Sequence, residues 1–243
     1  MCTLTIFHGK KRCVVTMNRD ELRTRRESGQ IHSRSGGQDR LFYPVDVNSG
    51  GTWFGINSQG AIMALLNRYQ GHDKTNAPSR GIIIPAALQQ GGFSAISTWL
   101  GKFDARPFNT FDLFLVGKRR ARRYTWDGRD WGSQDLEFKH WYMFTSSYIQ
   151  AEEVVAFRQN FFNAWSGEMG KKLIGTDEIL RGFHLIQIDG METQSVLMER
   201  ERSHTKSIIQ ADIQEGQLTL KYYPDVIEKA LDNVQVEQVV LRR

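Results

Sequence analysis

The chain opens "MCTLTIFHGKKRCVVTMNRDE", with a cysteine at residue 2 and an Asn-Arg-Asp-Glu run at residues 18–21. A cysteine so close to the start adds little to a core, although Cys is also a small hydrophobe that fills space. Removal of Met1 would leave Cys2 with both a thiol and a free α-amine. That amine, with a reference pKa of about 8, can take the thiol proton, so nucleophile and base belong to one residue. Asp20 is suited to hold the amine in position. Arg19 is suited to keep a thiolate ionised or to steer an anionic group. The plain alternative for the run is a salt-bridged strand exit.

Two alternating stretches, residues 2–7 and 13–18, read as strands of a hairpin turning near "HGKK". Cys2, Leu4 and Ile6 then share one face. The expected register sets Cys2 opposite Met17 or Asn18, and Cys13 opposite Ile6 or Phe7. It returns the Asn18–Glu21 run to the end where Cys2 lies. At roughly 3.3 Å per residue the two thiols sit too far apart for a disulfide, and both are expected to be free.

The polar segment 21–50, with "SRSGGQDR" and "VNSGG", reads as loops. A second hairpin pairs Trp53–Ile56 with Ala61–Leu66. Ser79 caps a helix that contains Pro85, and a shorter helix follows at "FSAISTWL". Another hairpin joins "TFDLFLVG" to "ARRYTWDG", and "HWYMFTSS" is a strand. Residues 151–167 form the clearest helix, with Val154, Phe157, Phe161 and Trp165 on one apolar stripe. Three strands, "TQSVLMER", "TKSIIQADI" and "QLTLKYYP", precede a polar C-terminal segment. This order lacks the strand–helix alternation of a doubly wound sheet. It predicts two mainly antiparallel sheets packed face to face with helices outside.

At 243 residues and 40% hydrophobic content, one domain is the default. No apolar run is long enough to span a bilayer, and the start lacks the pattern of a secretory signal. A cytoplasmic location, or the matrix side of an organelle, is expected. The net charge of +5 is concentrated in "RDELRTRRES" and "GKRRARRYTW". No zinc-finger spacing, recognition helix or RNA-binding motif accompanies it, so a solvated basic hairpin is expected and no specific nucleic-acid site. The six histidines show no metal-ligand spacing, and His204, near Lys206, reads as a surface residue. Isolated glycines lack a phosphate-loop lysine. Trp53 and Tyr69 flank the second hairpin, as pocket walls or as core.

"MCTLTIF", "MNRDE", "GGTWFGINSQGAIMALLNR" and "PSRG" occur in this order, and the chain resembles the NRDE family, which includes the transport-and-Golgi-organisation proteins. The resemblance is dense over residues 1–85 and patchier through "FNTFDLFLVG" and "QSVLMERERSHTKSII". It implies an α+β fold, the four-layer αββα sandwich of N-terminal-nucleophile hydrolases. The nearest catalytic analogy is to the cysteine type, similar to penicillin V acylases and bile salt hydrolases, which cleave linear amides. Under it Cys2 is the nucleophile, Arg19 and Asp20 match the Arg and Asp of the second strand, and Asn67 is the oxyanion donor. Asn18 and Ser146 are supporting positions, Ser146 standing where the acylases carry a further asparagine. A later acylase arginine has four competing counterparts: Arg200, Arg202, His204 and Lys206. The resemblance thus implies hydrolysis of a non-peptide amide, with no cofactor required. Its alternative is a carrier of haem or an acyl lipid, mitochondrial or Golgi-associated in a eukaryote. Cys2 or a histidine would then ligate the haem, although no axial site is specified.

Overall fold

The computed structural model describes residues 2–9, 11–36, 39–69, 73–137, 141–169, 175–229 and 231–241. In chain order its strands are β1 (Cys2–His8), β2 (Arg12–Leu22), β3 (Glu27–Gly36), β4 (Asp39–Asp46), β5 (Phe54–Asn57), β6 (Ile62–Asn67) and β7 (Phe111–Gly117). They continue with β8 (Arg120–Trp126), β9 (Trp131–Leu136), β10 (Trp141–Ser146), β11 (Ser203–Gln214), β12 (Gln217–Pro224) and β13 (Gln235–Val240). One antiparallel sheet has the order β10-β1-β2-β11-β12-β13, and the other runs β3 to β9 in sequence.

Every residue of β1 is buried, because each face of its sheet is covered. Cys2, Leu4 and Ile6 pack between the sheets against Phe54, Ile56 and Phe114. Phe7 packs on the other face with Phe162, Trp165 and Phe183. Two short helices, α1 (Ile83–Leu88) and α2 (Phe93–Leu100), cover the outside of the second sheet with Ile84, Leu88 and Ile96. The first sheet is covered by α3 (Ala151–Met169), α4 (Thr176–Ile179) and a π turn at Leu180–His184. The layers are therefore helix, sheet, sheet, helix, as expected.

Several local expectations are corrected. Cys2 pairs with Arg19, and His8 with Cys13, because the Gly9 N–H donates to the Arg12 carbonyl at 2.7 Å and centres the turn later in the chain than expected. Most of segment 21–50 is strand: β4 buries Leu41, Phe42 and Tyr43, while β3 is an edge strand whose outer positions tolerate polar residues. "TQSVLMER" forms turns and a single bridge, Glu199 to His204, and the polar C-terminal segment supplies β13. Ser79 does accept from the Gly81 N–H, but it caps a 3₁₀ turn ahead of α1, which leaves Pro85 near the start of a short helix.

The buried stripe of α3 is Val154, Arg158, Phe162 and Trp165, one residue displaced from the expected Phe157 and Phe161. The displacement turns Arg158 under the first sheet. Phe161 remains half-buried, stacked on Phe183 with centroids 5.6 Å apart. Phe162→Ala should therefore cost about 3–5 kcal/mol in chemical denaturation, and Phe161→Ala clearly less.

Candidate active site

Residues directly opposite in an antiparallel pair share a face. Cys2 lies between Arg19 on β2 and Ser146 on β10, so these three side chains face the second sheet. There a cavity of about 270 Å³ opens, whose walls include Cys2, Arg19, Glu21, Trp53, Asn67 and Arg80. Asn67 comes from the end of β6, where it pairs with Phe111 of β7, and its side chain hydrogen-bonds the Tyr69 phenol. Ser146 Oγ is buried and has no hydrogen-bond partner among the described residues.

Arg19 is fixed from several sides. Nη1 donates to Glu27 Oε1 at 2.6 Å, Nη2 bonds Asp46, and the guanidinium lies 4.2 Å from the centroid of the Trp53 ring. Glu27 is held in turn by Tyr222 Oη at 2.5 Å and Ser207 Oγ at 3.1 Å. Burial works against the Arg19 charge, yet Glu27, Glu21 and Asp46 outweigh it and raise its pKa. Burial likewise works to raise the Asp46 carboxyl, but Arg19 and Arg25 hold it below its usual range.

Arg19 acts to lower the Cys2 thiol pKa, but burial acts more strongly in the other direction. Burial dominates at Cys2 and pushes its pKa up; Asp20 adds to the rise, while Arg19 and the Asp20 N–H oppose it. The expected lowering by Arg19 is thus outweighed with Met1 in place. Cys13 is also buried, and burial pushes its pKa up as well. Both cysteines are free.

Alternation sends Asn18 and Asp20 to the opposite face, away from the cavity, which corrects a single cleft holding all four proposed residues. Asp20 Oδ1 accepts from Thr205 Oγ1 at 2.7 Å, and Oδ2 lies 3.2 Å from Arg158 Nη1. Fully buried Arg158 also donates to Thr3 Oγ1, Thr145 Oγ1 and the Gln194 and Ser195 carbonyls, tying α3 to the strand of Cys2. Asn18 Nδ2 donates to the carbonyls of His184 and Val196, so Oδ1 accepts from His184 Nδ1 at 2.5 Å. His184 Nε2 then accepts from Thr5 Oγ1 at 2.7 Å.

None of Arg200, Arg202, His204 and Lys206 lines the cavity. Arg200 bonds the Thr193 carbonyl, Lys206 the Arg23 carbonyl, and His204, buried rather than at the surface, meets Arg23 Nη1 at 2.8 Å. The cation that the residue reading missed is Arg80. Its signal was the "PSRG" motif, which carried the resemblance without its arginine being singled out.

Among the described residues no group of three or more His, Cys, Asp and Glu could hold a metal, and no histidine lines the cavity. His72 and His140 lie outside the described residues. The volume falls just below the ~300–1,000 Å³ usual for small-molecule pockets, and the walls are charged, so these residues do not fit a haem. Among the described residues no helix is long and apolar enough to cross a membrane.

Residues 1–217 match the family model described as Transport and Golgi organisation 2. The chain belongs to this family. No curated protein sequence matches it at a significant level. Solved structures similar to this family member include a Caenorhabditis elegans ortholog of N-acylethanolamine-hydrolyzing acid amidase, at 10% identity and TM-score 0.59, covering 86% of this chain and 92% of that one. Penicillin V acylase from Agrobacterium tumefaciens is similar at 13% identity and TM-score 0.58, covering 93% and 83%. The C2A mutant of conjugated bile acid hydrolase from Clostridium perfringens is similar at 10% identity and TM-score 0.58, covering 100% and 97%. At such identities the likeness establishes the fold. This family member has an αββα sandwich like that of these hydrolases, with a cysteine at residue 2.

Burial lowers the His184 pKa to about 3, so the fold keeps this ring neutral while the unfolded chain binds a proton below about 6.5. Its contribution is complete above that value and is lost as pH falls toward 3, with a slope approaching ~1.4 kcal/mol per pH unit. Urea denaturation across this window should show a flatter acid limb in His184→Gln than in the parent chain.

Proposed function

We propose that this chain hydrolyses a linear, non-peptide amide with Cys2 as nucleophile after Met1 is removed. The observation that carries the reading is the register of Cys2 with Arg19 on the wall of a cavity that Asn67 also lines. The freed α-amine takes the thiol proton, and the thiolate attacks the amide carbonyl carbon. The side-chain N–H of Asn67 and a backbone N–H stabilise the oxyanion. Collapse of the tetrahedral intermediate breaks the C–N bond, and the leaving amine takes the proton. Water then cleaves the thioester, returning the thiol and releasing the acid.

Asp20 acts on Cys2 through its charge and not by touching substrate, since its carboxylate lies on the other face, bonded to Thr205 and Arg158. Arg19 acts as a fixed wall of the site. The small, charged cavity supports a compact amide better than a carried haem or acyl lipid. Its proposed site of action is the cytoplasm, or a mitochondrion or the Golgi in a eukaryote.

Intact mass of the purified protein should show loss of Met1. Limited iodoacetamide labelling with peptide mass analysis should then find Cys2 modified well before Cys13, whose thiol is buried without a nearby amine. Amine release from a panel of simple acyl amides, detected with fluorescamine, should disappear in Cys2→Ala. Equal or slower labelling of Cys2 in Met1-free protein, with no amine released, would defeat the reading.

A further inference from the structure

Three carboxylates already serve two of the cavity's guanidiniums: Glu21, Glu27 and Asp46 lie against Arg19, and Glu21 and Asp46 also meet Arg25. Arg80 differs. Its Nη1 donates to the Thr110 carbonyl at 2.8 Å, and among the described residues it makes no ion pair. Arg80 lines the cavity, and that bond leaves its Nε–H and Nη2–H, the edge that grips a carboxylate in a two-bonded fork, unengaged.

Backbone packing fixes where this guanidinium starts. Thr52 N–H donates to the Gly81 carbonyl at 3.0 Å. A Cβ on Gly81 would come within 2.8 Å of Thr52 N, and one on Gly51 within 2.7 Å of the Gly81 carbonyl carbon. The "GGTW" and "PSRG" motifs therefore interlock through bare backbone. Arg80 is thereby set on the same cavity as Trp53, whose buried Nε1 has no acceptor among the described residues.

We propose that Arg80 is a specificity residue that receives a carboxylate carried by the substrate, within a few bonds of the carbonyl that Cys2 attacks. The proposal rests on the amide-hydrolysis reading and names its substrate class: small amides bearing one negative charge. A cavity of about 270 Å³ keeps the carboxylate and the scissile carbonyl close together. An anion approaching Arg19 or Arg25 meets Glu21 and Asp46, which direct it to Arg80 instead. The same carboxylates disfavour a dianionic phosphate. Asp73, the exposed carboxylate whose field reaches Arg80, makes no ion pair with it.

Iodoacetate and iodoacetamide test this without turnover, because they are near-isosteric and differ in one charge. In Met1-free protein the iodoacetate-to-iodoacetamide rate ratio at Cys2, normalised to glutathione, should be raised roughly tenfold, as a charge-assisted fork implies. Added salt should reduce that ratio. Arg80→Gln should abolish the enhancement and Arg80→Lys should retain part of it, with folding checked by circular dichroism. Ready alkylation by iodoacetamide with no enhancement overturns the carboxylate site while leaving the nucleophile intact. If neither reagent modifies Cys2, the nucleophile reading fails. Titration of the Cys2→Ser protein with sodium propionate then decides the carboxylate site separately. A saturable shift of the Arg80 Nε–H NMR signal upholds it, and an unmoved signal overturns it.

Discussion

The pairing of Cys2 with Arg19 is the constraint on which the candidate site depends. A strand alternates its side chains with period two, so a slip of one residue would exchange every face. The present register sends Cys2, Arg19 and Glu21 toward the second sheet and Asn18 and Asp20 toward the helices. The Asn-Arg-Asp-Glu run is therefore two interleaved pairs. One faces the cavity; the other binds the sheet to the layer beneath it.

Each pair solves the problem of burying polar groups by a different route. Arg19 is enclosed by carboxylates, which keep it charged against the cost of burial. Beneath the sheet, Arg158 is shared among hydroxyls, carbonyls and Asp20, while Asn18 and His184 exchange neutral hydrogen bonds. Breaking a buried charge network of this kind leaves an uncompensated ion, so truncating Arg19 would confuse loss of chemistry with loss of fold. Arg80, outside that network, is the more informative position.

The layered architecture was legible because strand alternation and the order of hairpins and helices are local signals. The edge strand β3 was not, since an exposed edge needs few apolar residues and its Ser and Gly content mimics a loop. The α3 face was misread by one residue because a buried arginine interrupts a stripe sought among apolar side chains. For the site, Cys2, Arg19 and Asn67 could be named from residue types, motifs and resemblance. The face occupied by Asp20 could not, because it turned on an exact register. Arg80 was hidden by distance: its place beside Cys2 comes from the contact of Gly51 with Gly81, which no short-range pattern encodes.

The position of β1 inside its sheet has a consequence for biosynthesis. β1 and β2 are translated one after the other, ahead of their other sheet partners. Yet the outer neighbour of β1 is β10, and that of β2 is β11, both from the later part of the chain. The hairpin must wait with its two flanking edges unpaired until those strands are made, a high-contact-order assembly that forms slowly. Cys2 is thus made well before Ser146 of β10, the residue that closes its outer side.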